Sequence, residues 1–371
     1  MPSANSGNPV MYVGTYTQAM AHVQGRAEGI YLYDLDPGTG RLTHRLTVPE
    51  VMNPSFLTLS PDRRFLYTVN EAMEINGVPG GGVSAFAVDP ATGGLTLLSK
   101  HSTHGGDPCY ISVDHTARCV LVANHGGGSV TVFPILADGS LGPASQVAQH
   151  EGHSIDPVNQ AQPHGHCVAT DPSNQFALCC DKGIDRVLVY RLDPAAAQIT
   201  LNDAPPGVSR PGSGPRHLSF HPNGQFVYVI NEIASTITAF AWDGSQGTLE
   251  EIETVPTLPA GYAGRNSTAD IHVHPNGKFV YGSNRGHDSI VIYAIDEATG
   301  RMTYVGHEPT RGRTPRNFTL DPSGTYLFAA NQNSSTIVTF RIDPATGGLT
   351  PTGQVLDTPT PVCQQIVLLP S

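Results

Sequence analysis

A unit of turn plus apolar strand recurs along this chain and leaves few architectures open. It reads SPDRRFLYTVN (60–70), DHTARCVLVAN (114–124), DPSNQFALCCD (171–181), HPNGQFVYVIN (221–231), HPNGKFVYGSN (274–284) and DPSGTYLFAAN (321–331). MYVGT (11–15) supplies a seventh copy without the turn. The copies end 47 to 57 residues apart, which suits four strands and their loops per repeat.

A second unit alternates apolar and polar residues and then turns, as in GGVSAFAVDPATGGLT (81–96), DSIVIYAIDEATGRMT (288–303) and STIVTFRIDPATGGLT (335–350). It also counts to seven. Alternation bounded by D-P-x-T-G is a hairpin signal, because Pro presets φ and Gly supplies the positive φ that closes the turn. A third unit precedes the first, from NPSFLTLSP (53–61) to TPVCQQIVLLP (360–370). Its last copy lies at the end of the chain, whereas the chain begins with a strand of the first kind. Pairing the C-terminal strand with the N-terminal blade closes the ring and removes free sheet edges. The expected fold is all-β: a seven-bladed β-propeller of four-stranded antiparallel blades, one domain over residues 1–371, with residues 1–9 a flexible N-terminal segment.

Composition agrees with many short strands and turns: 40 Gly, 31 Pro and only 14% charged residues. A net charge of −11 argues against a nucleic-acid binder, which needs clustered positive charge. The 6 cysteines lie scattered in apolar runs with no CxxC pair, and no secretory leader or membrane-length apolar run is seen. A cytoplasmic protein, monomeric or homodimeric, is expected, with no membrane partner.

In each blade the inner strand and the second strand form a hairpin, so the start of one and the end of the other meet away from the turn. Collecting these positions gathers His164, His166, Arg216, His217, Asp270, His272 and Arg316 from strand starts. Strand ends give Glu71, His125, Lys182, Glu232, Arg285 and Gln332. All are expected to line one mouth of the central channel. The chain has only 20 Lys plus Arg, yet Arg216, Arg285 and Arg316 converge there. Guanidinium groups grip carboxylate or phosphate in bidentate fashion, so an anionic ligand is expected. Glu232 among His and Arg, without a nucleophile elbow, suggests activation of water or proton abstraction rather than an acyl-enzyme. The cations near His164, His166, Asp270 and His272 disfavour a divalent metal, and no cofactor is expected. His221 and His274 precede Pro-Asn-Gly turns at the opposite end and read as turn chemistry. The insertions around 145–161 and 258–268 are expected to overhang the mouth.

The segments PHGH (163–166), GPRHLSFHPNG with YVINE (214–232), ADIHVHPNG with GSNRG (269–286) and TPRNFTLDPSG with AANQ (315–332) resemble the seven-bladed propeller lactonase family. That family includes 6-phosphogluconolactonases and, more distantly, carboxymuconate cyclase. The resemblance implies catalytic roles for Glu232, His166, Arg216 and Arg285. It places His164, Asp270, His272, Arg316 and Gln332 nearby, and His217 and Lys182, collected from the repeat positions, are expected around the substrate with them. Lys182 departs from the family, whose members often carry Leu there. The expected function is a metal-independent hydrolysis of a sugar lactone, 6-phospho-D-glucono-1,5-lactone to 6-phosphogluconate. Arginines would stabilise the oxyanion, and Glu232 or His166 would activate water. Lactone cycloisomerisation, hydrolysis of an unphosphorylated aldonolactone, and a noncatalytic scaffold are the rival readings.

Overall fold

Seven antiparallel sheets surround a central channel in a computed structural model that describes residues 9–75 and 77–369. Among the described residues there is no helix. In the first blade Pro361–Leu368 is innermost, followed outward by Pro9–Thr15, Gly29–Asp36 and Arg41–Pro49. The chain's two ends therefore share one sheet, with Pro9 opposite Leu368 and Tyr12 opposite Gln365. Pro9 belongs to that strand and not to a flexible segment; residues 1–8 lie outside the described residues. Blades two to seven each run in chain order from the channel outward. The fourth departs from the four-stranded pattern, because Gly207–Val208 also pairs with Arg186–Asp193.

Each core is shared between neighbouring blades. Leu178, Val187 and Val189 of the fourth blade pack with Val227, Phe240 and Trp242 of the fifth, and Trp242 meets Phe176 edge-on at 5.7 Å. The D-P-x-T-G turns add a second joint. In the fifth blade the equivalent turn reads D-G-S-Q-G (243–247); Gly247 at φ +69 closes it, and an added Cβ would sit 2.4 Å from the Phe176 ring of the preceding blade. Tyr228 and Tyr281 reach across blades to donate to the carbonyls of Gly300 and Gly347 at 3.0 and 2.9 Å. At the far end of the blades, His221 and His274 accept from Asn223 and Asn276 N–H and pair with Gly277 and Gly324 carbonyls, the turn chemistry expected of them.

Two short hairpins interrupt the repeat. Ala19–Met20 pairs with Val23–Gln24 in the first blade, and Glu74–Ile75 pairs with Val78–Pro79 in the second. Both follow a second strand, so both emerge at the end of the ring where the strand starts and ends converge.

Candidate active site

The inner strands do not begin with regular pairing. In the fifth blade Pro215 faces Asn231 and His217 faces Ile230, which leaves Arg216 as an unpaired bulge residue. The same step isolates Cys109, His166 and Arg316. A bulge re-aims a side chain that a regular pleat would turn along the sheet. The second-strand ends are fixed by another repeated contact: Lys182, Glu232 and Gln332 N–H donate to the carbonyls of His164, Gly214 and Thr314 at 3.0, 2.7 and 2.9 Å. Both sets of positions meet around a cavity of about 690 Å³ lined by His166, Lys182, Glu232, Arg285, Arg316 and Gln332, among others.

Glu232 is the hub of its charges. Oε2 lies 2.8 Å from Arg216 Nε and 2.9 Å from Arg285, while Oε1 lies 3.2 Å from Lys182 Nζ. Burial alone would raise the Glu232 carboxyl, but Lys182, Arg285 and Arg216 outweigh it and hold it well below the usual carboxylate range. Burial brings Arg285 down to about 10, still a cation at neutral pH. Arg316 is not a partner of Glu232; its guanidinium lies 5.6 Å over the ring of Tyr16, whose hydroxyl donates to Glu71. Burial, with Arg216 and His217, pushes His166 well below the usual imidazole range, so the ring is neutral. Four buried polar atoms on residues lining this cavity lack a partner: Asp107 Oδ1, His166 Nδ1, Arg285 Nε and Gln332 Oε1. Buried polar atoms are seldom left unpaired, so these four leave bonding capacity for water or a polar ligand; a second, deeper cavity has its own such atoms on Ser112, Asn317 and Gln364.

Some of the expected site residues lie elsewhere. His217, Asp270 and His272 line a separate cavity of about 340 Å³ together with Asn317, Gln364 and Gln365. The strand advances about 3.3 Å per residue, so His217 and His272, just beyond the irregular steps of their strands, sit deeper in the channel. Arg216, only 2% exposed, lies between the two cavities. Its NH1 donates to His217 Nε2 at 3.2 Å, and His217 Nδ1 donates to Asp270 Oδ1 at 2.8 Å. Asp270 also takes hydrogen bonds from His272 and Asn317. His164 does not line the large cavity either. Its ring stacks on His125 at 4.5 Å and its Nδ1 pairs with the His125 carbonyl at 2.8 Å, so it backs the wall.

Other wall residues carried no signal in the repeats. Arg265 and Asn266 come from the 258–268 insertion, which overhangs the cavity as expected. The 145–161 insertion contributes nothing to that wall; Gln160 instead donates to the Lys182 carbonyl at 2.9 Å and holds that turn from outside. His22 comes from the first extra hairpin, and Asp107 stands two residues ahead of the bulged Cys109.

Comparison with known proteins gives this geometry a family. The model for the lactonase family of seven-bladed β-propellers matches residues 10–366. The chain belongs to the seven-bladed lactonase family. Among relatives of this lactonase, the 6-phosphogluconolactonase of Bacillus subtilis is 34% identical over 310 residues, covering 84% of each chain. The solved structure of PpgL, a periplasmic gluconolactonase of Pseudomonas aeruginosa, superposes with a TM-score of 0.91 at 34% identity, covering 98% of this chain and 99% of that one. A Bacteroides fragilis structure superposes at 0.89 with 38% identity, covering 99% and 100%. A periplasmic member means that membership in the lactonase family does not fix the expected cytoplasmic location. Among the described residues no helix is long and apolar enough to cross a membrane.

Proposed function

We propose that this protein hydrolyses an anionic sugar lactone, with 6-phospho-D-glucono-1,5-lactone as substrate and 6-phosphogluconate as product. The observation that carries the proposal is the charge of the large cavity. Lys182, Arg285 and Arg316 line it and Arg216 backs it, against the carboxylates of Glu232, Glu71 and Asp107. Desolvated guanidiniums bind phosphate and carboxylate oxygens through charge-assisted bonds and can stabilise the oxyanion formed when water adds to the lactone carbonyl. The Bacillus relative supports the substrate class.

Within this reading Glu232 supplies the counter-charge that orders Lys182, Arg216 and Arg285. Three cations make it a poor proton acceptor, which shifts the expected role of Glu232 from base to organiser. His166 offers a neutral ring with an unpartnered Nδ1 to orient substrate or water. A second reading, hydrolysis of the unphosphorylated aldonolactone, is favoured by the likeness to the gluconolactonase PpgL. We keep the cytoplasm as the proposed location, because all six cysteines are buried free thiols. The test is the rate of ring opening by purified protein with the phosphorylated and the plain gluconolactone, corrected for spontaneous hydrolysis. Preference for the phosphorylated ring supports the proposal, preference for the plain ring selects the second reading, and no acceleration of either overturns both.

A further inference from the structure

Hydrolysis of a lactone needs a group that takes a proton from the attacking water, and the geometry points to Asp107. We infer that Asp107 is the carboxylate that accepts this proton and returns it to the ring oxygen as that oxygen leaves; the inference rests on the hydrolytic reading above. Three features single it out among the cavity carboxylates. Glu232 is tied to three cations, and Glu71 accepts the single Tyr16 O–H, shared between its two oxygens at 3.0 and 2.9 Å. Asp107 has no side-chain partner for Oδ1, although that atom is buried.

Its backbone is also held in an uncommon conformation. Asp107 sits at φ +48, a left-handed geometry that costs a non-glycine residue free energy. It is pinned there by its own N–H to the Ala72 carbonyl at 2.8 Å and by its carbonyl to the His125 N–H at 2.9 Å. These bonds tie the Asp107 backbone to Ala72, just after the Phe65–Asn70 strand, on one side and to the end of the Cys119–Asn124 strand on the other.

The charges around it favour a proton near neutrality. Asp107 shares the wall with Glu71 from the second blade, Cys109 on its own strand and His125 from the adjoining strand end. His166, Lys182, Glu232, Arg285 and Arg316 complete the charged and titratable groups of the main wall, with His22 and Arg265 at the rim. Burial and the charge of Glu71 raise the Asp107 carboxyl to about 6. A proton acceptor works best when its pKa lies near the working pH, which Asp107 meets better than Glu232 or His166.

The step balances. Water gives one proton to Asp107 while its oxygen bonds to the carbonyl carbon, and the carbonyl electron pair moves to the oxyanion. Collapse restores the carbonyl and breaks the carbon to ring-oxygen bond. The ring oxygen then takes the proton from Asp107 and becomes a hydroxyl, and the new carboxyl loses its proton to solvent.

The experiment compares wild type, Asp107→Asn, His166→Gln and Glu71→Gln in kcat and KM from pH 4.5 to 8.5 on the lactone that wild type opens. Asn tolerates left-handed backbone, so the first variant removes the base with little strain. Expected is a loss of about 100-fold or more in kcat for Asp107→Asn, with KM changed by less than about fivefold. In wild type kcat/KM falls as pH drops through about 6, and Glu71→Gln moves that limb to lower pH. Wild-type inactivity on both lactones removes the hydrolytic reading, and this inference falls with it. An active wild type with Asp107→Asn within tenfold overturns the inference alone. So does an acid limb that disappears in His166→Gln but persists in Asp107→Asn. Should Asp107→Asn fail to fold, an unmoved limb in Glu71→Gln overturns the inference and a lowered one supports it.

Discussion

Arg216 Nε lies 2.8 Å from Glu232 Oε2, and the arginine reaches that carboxylate from a bulge in the inner strand of the same blade. The pair joins the two positions that repeat comparison brings together in every blade. Because Arg285 and Lys182 share the same carboxylate, removing its charge leaves three cations to repel one another. Glu232→Gln is expected to lower stability by about 3 kcal/mol, the usual scale for uncompensating a buried ion pair, and to cut kcat/KM about 100-fold. The folded Glu232 carboxyl is depressed, so its stabilising contribution is present above its unfolded value of about 4.5 and is lost as pH falls below it. Urea unfolding of both proteins at pH 7 and pH 4 measures this, and the difference between them shrinks at the lower pH.

The deeper cavity makes a prediction of opposite sign. Burial opposes charge on His272, but Asp270 outweighs it and raises the imidazole above its usual 6.5. A raised cation stabilises the fold fully below pH 6.5, and the contribution is lost as pH rises through the raised value. His272→Gln should therefore narrow its melting-temperature gap to wild type as pH climbs from 6 to 9. A constant gap would show that the His272 to Asp270 contact does not depend on the proton.

Asp270 is expected to act on the reaction through two other residues. It orients His217, whose Nε2 accepts from Arg216 NH1, so the carboxylate fixes the guanidinium from below. Asp270→Asn should lower kcat about tenfold while KM for the lactone changes little. Measuring both parameters separates this positioning role from general destabilisation, which would reduce the active fraction, and the melting temperature reports that fraction.

How much of this was legible before the structure depends on which physical signal each residue carried. Blade number and ring closure were readable, because the turn before Phe226 and the alternation through Thr236–Asp243 repeat around the chain. Convergence of Arg216, Glu232, Arg285 and Lys182 was readable too, since hairpin geometry places strand start and strand end together. Depth along the channel was not. Arg216 and His217 are adjacent in sequence, yet the bulge turns Arg216 to the Glu232 carboxylate behind the charged cavity while His217 lines the deeper one. Nor did periodicity flag His22, which arrives on a hairpin that exists in one blade only, or Asp107, which precedes its strand. A non-glycine at positive φ has no sequence signature beyond a preference for Asp and Asn, so nothing in the sequence set Asp107 apart.

The turn glycines give a prediction about the fold alone. Gly247 combines φ +69 with a Phe176 ring where its Cβ would be, so Ala is penalised both by the backbone and by overpacking against a rigid neighbour. Gly247→Ala should cost about 2 to 4 kcal/mol in urea unfolding. Gly261, at φ +84 with nothing within 4 Å, isolates the backbone part, and its Ala variant should cost about 1 kcal/mol.

Arg316 is expected to separate the phosphorylated from the plain lactone. Of the three arginines expected at the site, Arg216 and Arg285 are committed to Glu232, whereas Arg316 rests over the Tyr16 ring and, among the described residues, makes no direct ion pair, although Glu71 and Glu232 lie near enough to favour its charge. A charge-assisted hydrogen bond to phosphate is worth about 1.5 to 3 kcal/mol, which corresponds to about 10- to 150-fold in affinity. Arg316→Gln should therefore raise KM for 6-phospho-D-glucono-1,5-lactone by about that factor while kcat changes less than about threefold. For the unphosphorylated ring both constants should stay within about threefold. An equal loss on both substrates would place Arg316 at the lactone carbonyl, where its charge meets the oxyanion, and would leave Lys182 and Arg285 to hold the phosphate.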